Sequence, residues 1–452
     1  MTAPALGDIR ACFEGAIPAV VATCDAAGTP NVAYISQVYY VDERHVALSF
    51  QFFNKTRQNI LANPHATVLL LHPLTARFYR LRIRYLRTET GGALFEGMKA
   101  QLAGIASHTG MEGVFRLLGS DVYEVEEVEE VEAVAGHALP APPARAVTLG
   151  AVRRISERLV RCTALDEALA AVLSGLGELL GVRHAMVMML DAATQRLYTV
   201  ASAGYATSGV GSEIAVGAGL IGVAARERSP VRIGYMTSAY LYSHAQRSSL
   251  QAQVPDVERL TDIPYPGLAE PHSQLAVPIA SARRLLGVLF VESPDELRFG
   301  FEDEDALVAI AGHLGAAIEL MQAVEEAAEA PAATGRPPAA RGAPLLVRHF
   351  PSNDSVFVND RYLIKGVAGA ILHKLLRDHL GQGRTEFSNR ELRLDASLRL
   401  PDISDNLEAR LLLLQRRLAE HGPDLRIEKT GRGRFRLALQ RPVQLVSVGS
   451  AE

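Results

Sequence analysis

Apolar and polar positions follow three different rhythms along this chain. Up to about residue 130 the apolar residues come in short runs, many alternating with polar ones. After a first helix, that pattern predicts strands over Ala19–Cys24, Asn31–Val41, His45–Phe53, Thr67–His72, Arg77–Thr88 and Val122–Val128, with one helix over Leu94–Ala106. The turn DAAGTP separates the first two strands with the usual Gly and Pro chemistry. Many short strands with little helix argue for a small barrel. From Leu149 to Leu180 the rhythm becomes helical, with Val152, Ile155, Leu159, Val160, Leu165, Leu169, Val172, Leu176 and Leu179 recurring at helix spacing. Strands over Ala185–Leu190 and Leu197–Ala203, a Gly-opened helix over Gly217–Arg226, strands over Gln274–Ile279 and Leu285–Val291, and a helix over Asp303–Gln322 follow. The last third predicts a hairpin at Val356–Leu363 turning on Asn359-Asp360, and helices over Val367–Leu380, SNRELRL and Ser404–His421. A second hairpin, Leu425–Leu439, has a basic tip at Thr430–Gly433. Ser388 with Glu391 forms a capping-box pattern.

Two Pro/Ala-rich stretches, Gly136–Arg145 and Ala327–Pro344, read as extended linkers and leave three domains, 1–135, 146–326 and 345–443. At 452 residues, three cores match the usual domain size of about 150 residues. Charge is divided unevenly. Residues 345–443 hold 18 Lys and Arg against 12 Asp and Glu, whereas the rest of the chain holds 28 against 38. A basic unit on an acidic body points to a polyanion partner for that unit, or to an ordinary Arg-rich surface. Cys12, Cys24 and Cys162 have no C-x-x-C spacing, exclude a disulfide framework and fit a reducing cytoplasm. No metal site is expected. No apolar run approaches about 20 residues, so no membrane span is expected, and the N-terminus lacks the pattern of a secretory signal.

The segment Ser49–Ala66, SFQFFNKTRQNILANPHA, carries the most chemistry. A strand gives way to a polar turn holding Lys55, Thr56 and Arg57, then to a short helix ending at Asn63-Pro64. Cations and a hydroxyl beside exposed helix-N-terminal amides make a phosphate seat, the alternative being a solvated helix start. PNVAYIS followed by HVALSFQFFNKTRQNILANPHATVLL resembles the pyridoxamine-phosphate-oxidase-like split barrel, which binds flavin mononucleotide. The resemblance implies FMN as cofactor, with deazaflavin and haem as alternatives among relatives. It places Lys55 on the first member of the family's phosphate-clamping basic pair and Thr56 on the second, with Arg57 adjacent. Ser49 and Gln51 fall on strand positions that contact the ribityl chain or ring. Asn31 stands where oxidases of the family often carry arginine, which puts oxidase chemistry in doubt. Arg80, Arg82 and Arg84 share one strand face, either a groove or cofactor wall or a half-exposed surface. VEEVEEVEAV at 125–134 reads as a solvated acidic edge. His45, His65 and His72 are the haem-ligand candidates, each alternatively a surface or packing residue.

In the second domain, GLIGVAARERSPVRI, SQLAVPI, LLGVLFVES and FGFEDED resemble a GAF domain, implying a sensory α/β module with a small-molecule ligand and parallel dimer packing through its flanking helices. Phe299, Asp303 and Glu304 satisfy part of a nucleotide-binding GAF signature and also suit a helix start. A Tyr-rich insert between Ile233 and Ser273 is either a pocket lid or a dimer contact. Covalent bilin and an iron–sulfur cluster are not expected, because Cys162 is the one thiol in the domain.

The order of elements in the third domain and the segment TGRGRFRL resemble the winged-helix output domain of response regulators. The resemblance implies DNA binding, with Arg410, Gln415, Arg416 and Arg417 on the third helix as readers and Arg432 and Arg434 of the wing on phosphates. That helix also opens with Asp402, Asp405 and Glu408 and carries Leu411–Leu414, which favours a protein-binding or dimerising role.

The chain is therefore expected to be multidomain, of mixed α/β and α+β class: a split β-barrel, a GAF α/β sensor domain and a C-terminal winged helix. Its expected role is a cytoplasmic, homodimeric sensor and transcriptional regulator. The alternative is a flavin- or haem-dependent oxidoreductase whose GAF and winged-helix domains serve assembly or regulation, its chemistry belonging to the cofactor.

Overall fold

The computed structural model describes residues 4–14, 18–35, 37–50, 55–73, 75–109, 116–131, 148–234, 263–281, 284–327, 343–398, 407–431 and 433–448. A 3-10 helix, Leu6–Phe13, precedes a curled antiparallel sheet of β1 (Ala19–Cys24), β2 (Pro30–Ile35), β3 (Val38–Tyr40), β4 (His45–Phe50), β5 (His65–Leu71), β6 (Phe78–Glu89) and β7 (Gly119–Val131). Its strand order is β2-β1-β5-β6-β7-β4-β3. Helices α1 (Lys55–Ala62) and α2 (Ala93–Thr109) interrupt it. Phe13, Val21, Val46, Val68, Leu81, Ile83 and Tyr123 fill the core. The strand expected over Asn31–Val41 is two strands.

The arginine row of β6 and the acidic run of β7 are two halves of one ladder. Arg80 pairs with Glu129, Arg82 with Glu127, and Arg84 with Glu124 and Glu126, across adjacent antiparallel strands. Opposite charges facing each other across strands fix register. Neither segment is therefore an isolated charged surface.

The second domain begins with α3 (Thr148–Arg161) and α4 (Leu165–Leu180), where the sequence pattern had predicted one helix. Cys162–Ala164 breaks them, and the Glu167 carboxylate accepts the Thr163 N–H at 2.8 Å at the new helix start. The sheet follows the order β10-β9-β8-β13-β12-β11. These strands are β8 (His184–Asp191), β9 (Arg196–Ala203), β10 (Glu213–Ala215), β11 (Val231–Ile233), β12 (Ser273–Ala280) and β13 (Leu285–Ser293). Helix α5 (Gly219–Glu227) lies on one face, and α3, α4 and α6 (Phe301–Ala327) on the other. Every residue of β13 is buried. Gly287 on that strand has to lack a side chain, since a Cβ there would sit 2.0 Å from the Met188 carbonyl oxygen. Although no long apolar run had been expected, Phe301–Val324 of α6 is apolar and long enough, at 24 residues, to cross a membrane by length and composition alone. Here it packs on β12 and α3.

The third domain has a sheet ordered β16-β15-β14-β20, built from β14 (Leu345–Phe350), β15 (Ser355–Val358), β16 (Arg361–Ile364) and β20 (Val443–Ser447). Asn359 and Asp360 both take positive φ, 46° and 66°, as the two-residue hairpin requires. Helices α7 (Gly366–Gln382), α8 (Asn389–Leu394) and α9 (Leu407–His421) follow, with a second sheet of β17 (Glu386–Ser388), β19 (Arg434–Leu439) and β18 (Leu425–Gly431). The capping box at Ser388 forms: its hydroxyl accepts from the Glu391 N–H at 3.3 Å, and the Glu391 carboxylate accepts the Ser388 N–H at 3.1 Å.

The first domain seats on the second through α2, which lies across α5 and β11. Gly104 allows that approach, because a Cβ there would stand 2.3 Å from the Val231 side chain. Beside it, buried Arg232 pairs with Glu14 of the first domain and, at 2.8 Å, with Glu304. The Phe301 ring lies between the guanidinium groups of Arg10 and Arg232, 4.5 and 4.4 Å from its centroid. Removing one partner of a buried ion pair leaves the other charge uncompensated, at a cost of about 3 kcal/mol. Arg232→Ala should therefore lose roughly that much in urea unfolding, with the first domain unfolding ahead of the second.

Candidate functional site

Helix α1 is fixed to the sheet by the asparagines of its own motif. Buried Asn59 donates to Thr23 Oγ1 at 3.2 Å, and Asn63 donates to Cys24 Sγ at 3.0 Å. These contacts aim the start of α1 at the β1–β2 turn. Lys55 there pairs with Asp25 at 3.2 Å, and Thr56 Oγ1 accepts from the Asn31 side-chain amide at 2.9 Å. Asp25 caps its turn by accepting the Thr29 and Ala27 N–H groups, and the Thr29 contact, followed by Lys55, holds its carboxyl below the usual range.

Arg57 points the other way. Its guanidinium grips Asp121 on β7, donates to Thr88 Oγ1 at 3.2 Å and lies over the Phe50 ring at 3.7 Å. Thr88 in turn donates to Asp121 at 2.5 Å, and the Tyr85 hydroxyl stands 2.7 Å from Thr88. Asp121 is 4% exposed, so this network is a brace across β4, β6 and β7. Ser49 lies opposite Ser120 in the β4–β7 register, and Gln51 falls outside the described residues. The sequence motif thus brings together Lys55, Thr56 and Asn31, while Arg57 takes a separate, structural contact.

Magnitudes decide what the seat can hold. The two cations face two carboxylates, so the seat carries no net charge as it stands. The Lys55–Asp25 pair is exposed, and such pairs contribute about 0–1 kcal/mol. An incoming phosphate can take Lys55 at little cost. Withdrawing Arg57 from buried Asp121 costs several-fold more. The residues therefore fit a phosphate held by Lys55, the Thr56 hydroxyl and the first N–H groups of α1, with Arg57 bracing the strands behind them. At the far end of α1, a cleft of about 320 Å³ is lined by Cys24, Asn63, His65, Thr67, Arg82 and Glu126. The sequence reading did not find it, because its walls come from β1, β5, β6 and β7.

The three histidines do not converge. His45 contacts Asp42 at 2.8 Å, His65 pairs with Glu126 at 3.5 Å, and His72 Nδ1 accepts the Thr75 N–H at 3.2 Å. Burial pulls the pKa of His72 down. Among the described residues no group of three or more His, Cys, Asp and Glu side chains is placed to hold a metal ion.

In the second domain, Asp303 accepts the Gly300 N–H at 2.9 Å and so caps α6, while Glu304 pairs with Arg232. Tyr235, Met236, Tyr240, Tyr242 and His244 lie outside the described residues. Glu292, 1% exposed, accepts the Leu268 N–H at 2.8 Å and the Gln274 amide at 3.0 Å. Burial raises its pKa above the usual 4.5.

In the third domain three of the residues expected to read DNA, Arg410, Arg416 and Arg417, make contacts within the protein. Arg410 is 5% exposed and pairs with Asp191 at 2.9 Å. Arg416 donates to the Val200 carbonyl at 2.5 Å, and Arg417 donates to the Leu363 carbonyl at 3.0 Å. Arg410 and Arg416 are thus engaged by the second domain, and Arg417 within its own. All of Leu411–Leu414 are buried, which takes more than one covering surface around the helix. Gln415 and Arg434 line a cavity of about 210 Å³ between α4, α9 and the β18–β19 hairpin, with Asp166, Asn389, Glu408 and Lys429. Arg432 falls outside the described residues.

Two outcomes follow from these geometries. Asp121→Ala should cost about 3 kcal/mol in urea unfolding, because Arg57 is left buried without its carboxylate. Glu292 has a folded-state pKa above its unfolded value, so its contribution is most favourable below pH 4.5 and declines as pH rises through the raised pKa. The stability of Glu292→Gln relative to the wild type should accordingly increase from pH 4.5 upward in thermal melts at stepped pH.

Residues 6–156 match the family model described as pyridoxamine 5'-phosphate oxidase, and residues 162–319 match that of the GAF domain. No curated protein sequence matches the chain. Among solved structures, the GAF domain of an Acinetobacter phosphoenolpyruvate-protein phosphotransferase is 23% identical, covering 39% of this chain and 95% of its own, with a TM-score of 0.31. An FMN-binding protein from Syntrophomonas wolfei is 15% identical over 29% of this chain and 88% of its own, with a TM-score of 0.25. HupZ from Group A Streptococcus is 23% identical over 27% of this chain and 95% of its own, with a TM-score of 0.22. The chain thus joins a pyridoxamine-phosphate-oxidase-like N-terminal domain to a GAF domain.

Proposed function

We propose that this chain is a cofactor- or ligand-responsive sensor and regulator. Its N-terminal barrel holds a flavin-type cofactor, FMN on the phosphate chemistry above, the GAF domain relays the barrel's state, and the third domain is a winged-helix output that binds DNA or a protein partner. A bound flavin would supply one- or two-electron redox chemistry; the chain's own residues would hold its phosphate at Lys55, Thr56 and the α1 amides. The reading places the protein in the cytoplasm as a homodimer.

The observation that carries the proposal is the seating of α2 on α5 and β11 beside the Arg232–Glu14 pair. A cofactor domain that only performed catalysis would need no such packed, charge-locked seam with a sensory sheet. Coupling needs a physical path between two sites, and this seam supplies one. The other side of the same sheet supports the third domain, so all three domains are in contact through one element.

The oxidoreductase alternative predicts steady consumption of a reduced nicotinamide with an acceptor, which the sensor reading does not. The direct test is the absorbance spectrum of the purified protein with added FMN. Wild type should show the flavin bands, and Lys55→Ala should bind FMN at least tenfold more weakly, a loss of about 1.4 kcal/mol. A wild type that takes up neither flavin nor haem would overturn the cofactor reading.

A further inference from the structure

The basic face of the third domain already has an occupant. Arg410 enters the second domain and pairs with Asp191 at the β8–β9 turn, its guanidinium lying 4.3 Å over the Tyr198 ring. Nearly two turns further along α9, Arg416 donates to the Val200 carbonyl of β9 at 2.5 Å. Ser208 donates to Glu420, and Lys365 reaches Glu213 at 3.5 Å. Gly211, at φ 91°, lies in the β9–β10 turn beside α9: a Cβ there would be in ordinary contact with Arg417 and Leu413, at 3.6 and 3.7 Å, and would crowd Ile263 at 2.6 Å.

We propose that this contact is a releasable clamp, in which the GAF sheet occupies the arginine face of α9 and competes for it with a polyanion of the nucleic-acid duplex type. The nature of the competing polyanion rests on the winged-helix reading above; the clamp itself does not. Charge complementarity supports both parts. The GAF side contributes Asp191 and Glu213, and the third domain contributes Arg410, Arg416 and Lys365. Guanidinium groups that accept a carboxylate and a carbonyl accept phosphate oxygens by the same geometry.

The seam combines apolar contact of α9 with the sheet and these charged contacts, and the charged part is the one a competitor can replace. A buried ion pair gains little net stability over its two hydrated halves, although losing either half alone is costly. When the domains separate, Asp191 and Arg410 are both rehydrated, so the electrostatic part of undocking is inexpensive. The signal has a route to the seam. Met186, Met188 and Leu197 on one face of β8 and β9 belong to the cluster that contains Ala100 of α2, while Val187, Met189, Tyr198 and Val200 on the other face belong to the cluster that contains α9.

The test uses the full-length protein with Asp191→Asn/Glu213→Gln. Asparagine keeps an oxygen to accept the Ala193 and Thr194 N–H groups that Asp191 accepts, so the turn is retained. The control, Glu302→Gln/Asp305→Asn at the start of α6, changes charge equally away from the seam. Amide hydrogen exchange over α9 and affinity for duplex DNA at fixed salt are measured. The clamp predicts at least tenfold faster exchange across α9 and at least tenfold tighter duplex binding in the seam variant, with neither change in the control. Faster exchange without duplex binding leaves the clamp standing and removes DNA as the competitor. Unchanged exchange in a folded seam variant overturns the clamp, whatever happens to DNA affinity.

Discussion

A sheet that is apolar on both faces has to be covered on both faces, and that constraint organises this protein. β13 is buried along its whole length, and β8 and β12 nearly so. A sheet with one wet face alternates apolar and polar residues, whereas these strands read as continuous apolar runs. The GAF helices α3, α4, α5 and α6 provide much of the cover. The remainder comes from outside the domain: α2 of the first domain closes one face, and α9 of the third lies against the other. The hydrophobic effect thus recruits both neighbours to one central element, and any change in how that sheet packs reaches both.

The seams so formed are closed by buried arginines. Arg232 takes carboxylates from two domains, and Arg410 takes one from the GAF turn. Arg57 does the same within the first domain, where it braces β7 through Asp121. Such pairs add little to net stability, because desolvation offsets most of the attraction, but they heavily penalise any arrangement that leaves one charge unpaired. They therefore specify how surfaces meet more than they hold them together. The exposed Lys55–Asp25 pair lies at the opposite limit and can be exchanged for a ligand at small cost.

Much of the fold is legible in the sequence where the signal is local. Asn359-Asp360 predicts a two-residue hairpin because few other residues tolerate two positive φ angles in succession, and the hairpin is there. Ser388 and Glu391 predict a capping box because they lie three residues apart on a helix start, and it forms. The first break in legibility is the single helix read over Leu149–Leu180. Apolar spacing continues across Cys162–Ala164, and only the Glu167 cap marks a new start. The candidate cofactor seat is half legible: the motif gathers Lys55 and Thr56 because they are adjacent, and Asn31 joins them through the β1–β2 turn.

The sequence by itself determined the local elements and the basic character of the last third, because each is written in spacing and composition over short stretches. Only the tertiary structure decided which charges are committed. Arg57 and Arg410 look like ligand-binding cations when read along the chain, yet each is met by a carboxylate far away in sequence. The arginine row of β6 and the acidic run of β7 likewise become a ladder only once the strands are side by side. The physical reason is range. Hydrogen-bonded turns and helix caps act within a few residues, whereas burial and charge pairing depend on distances in space that only the folded chain sets.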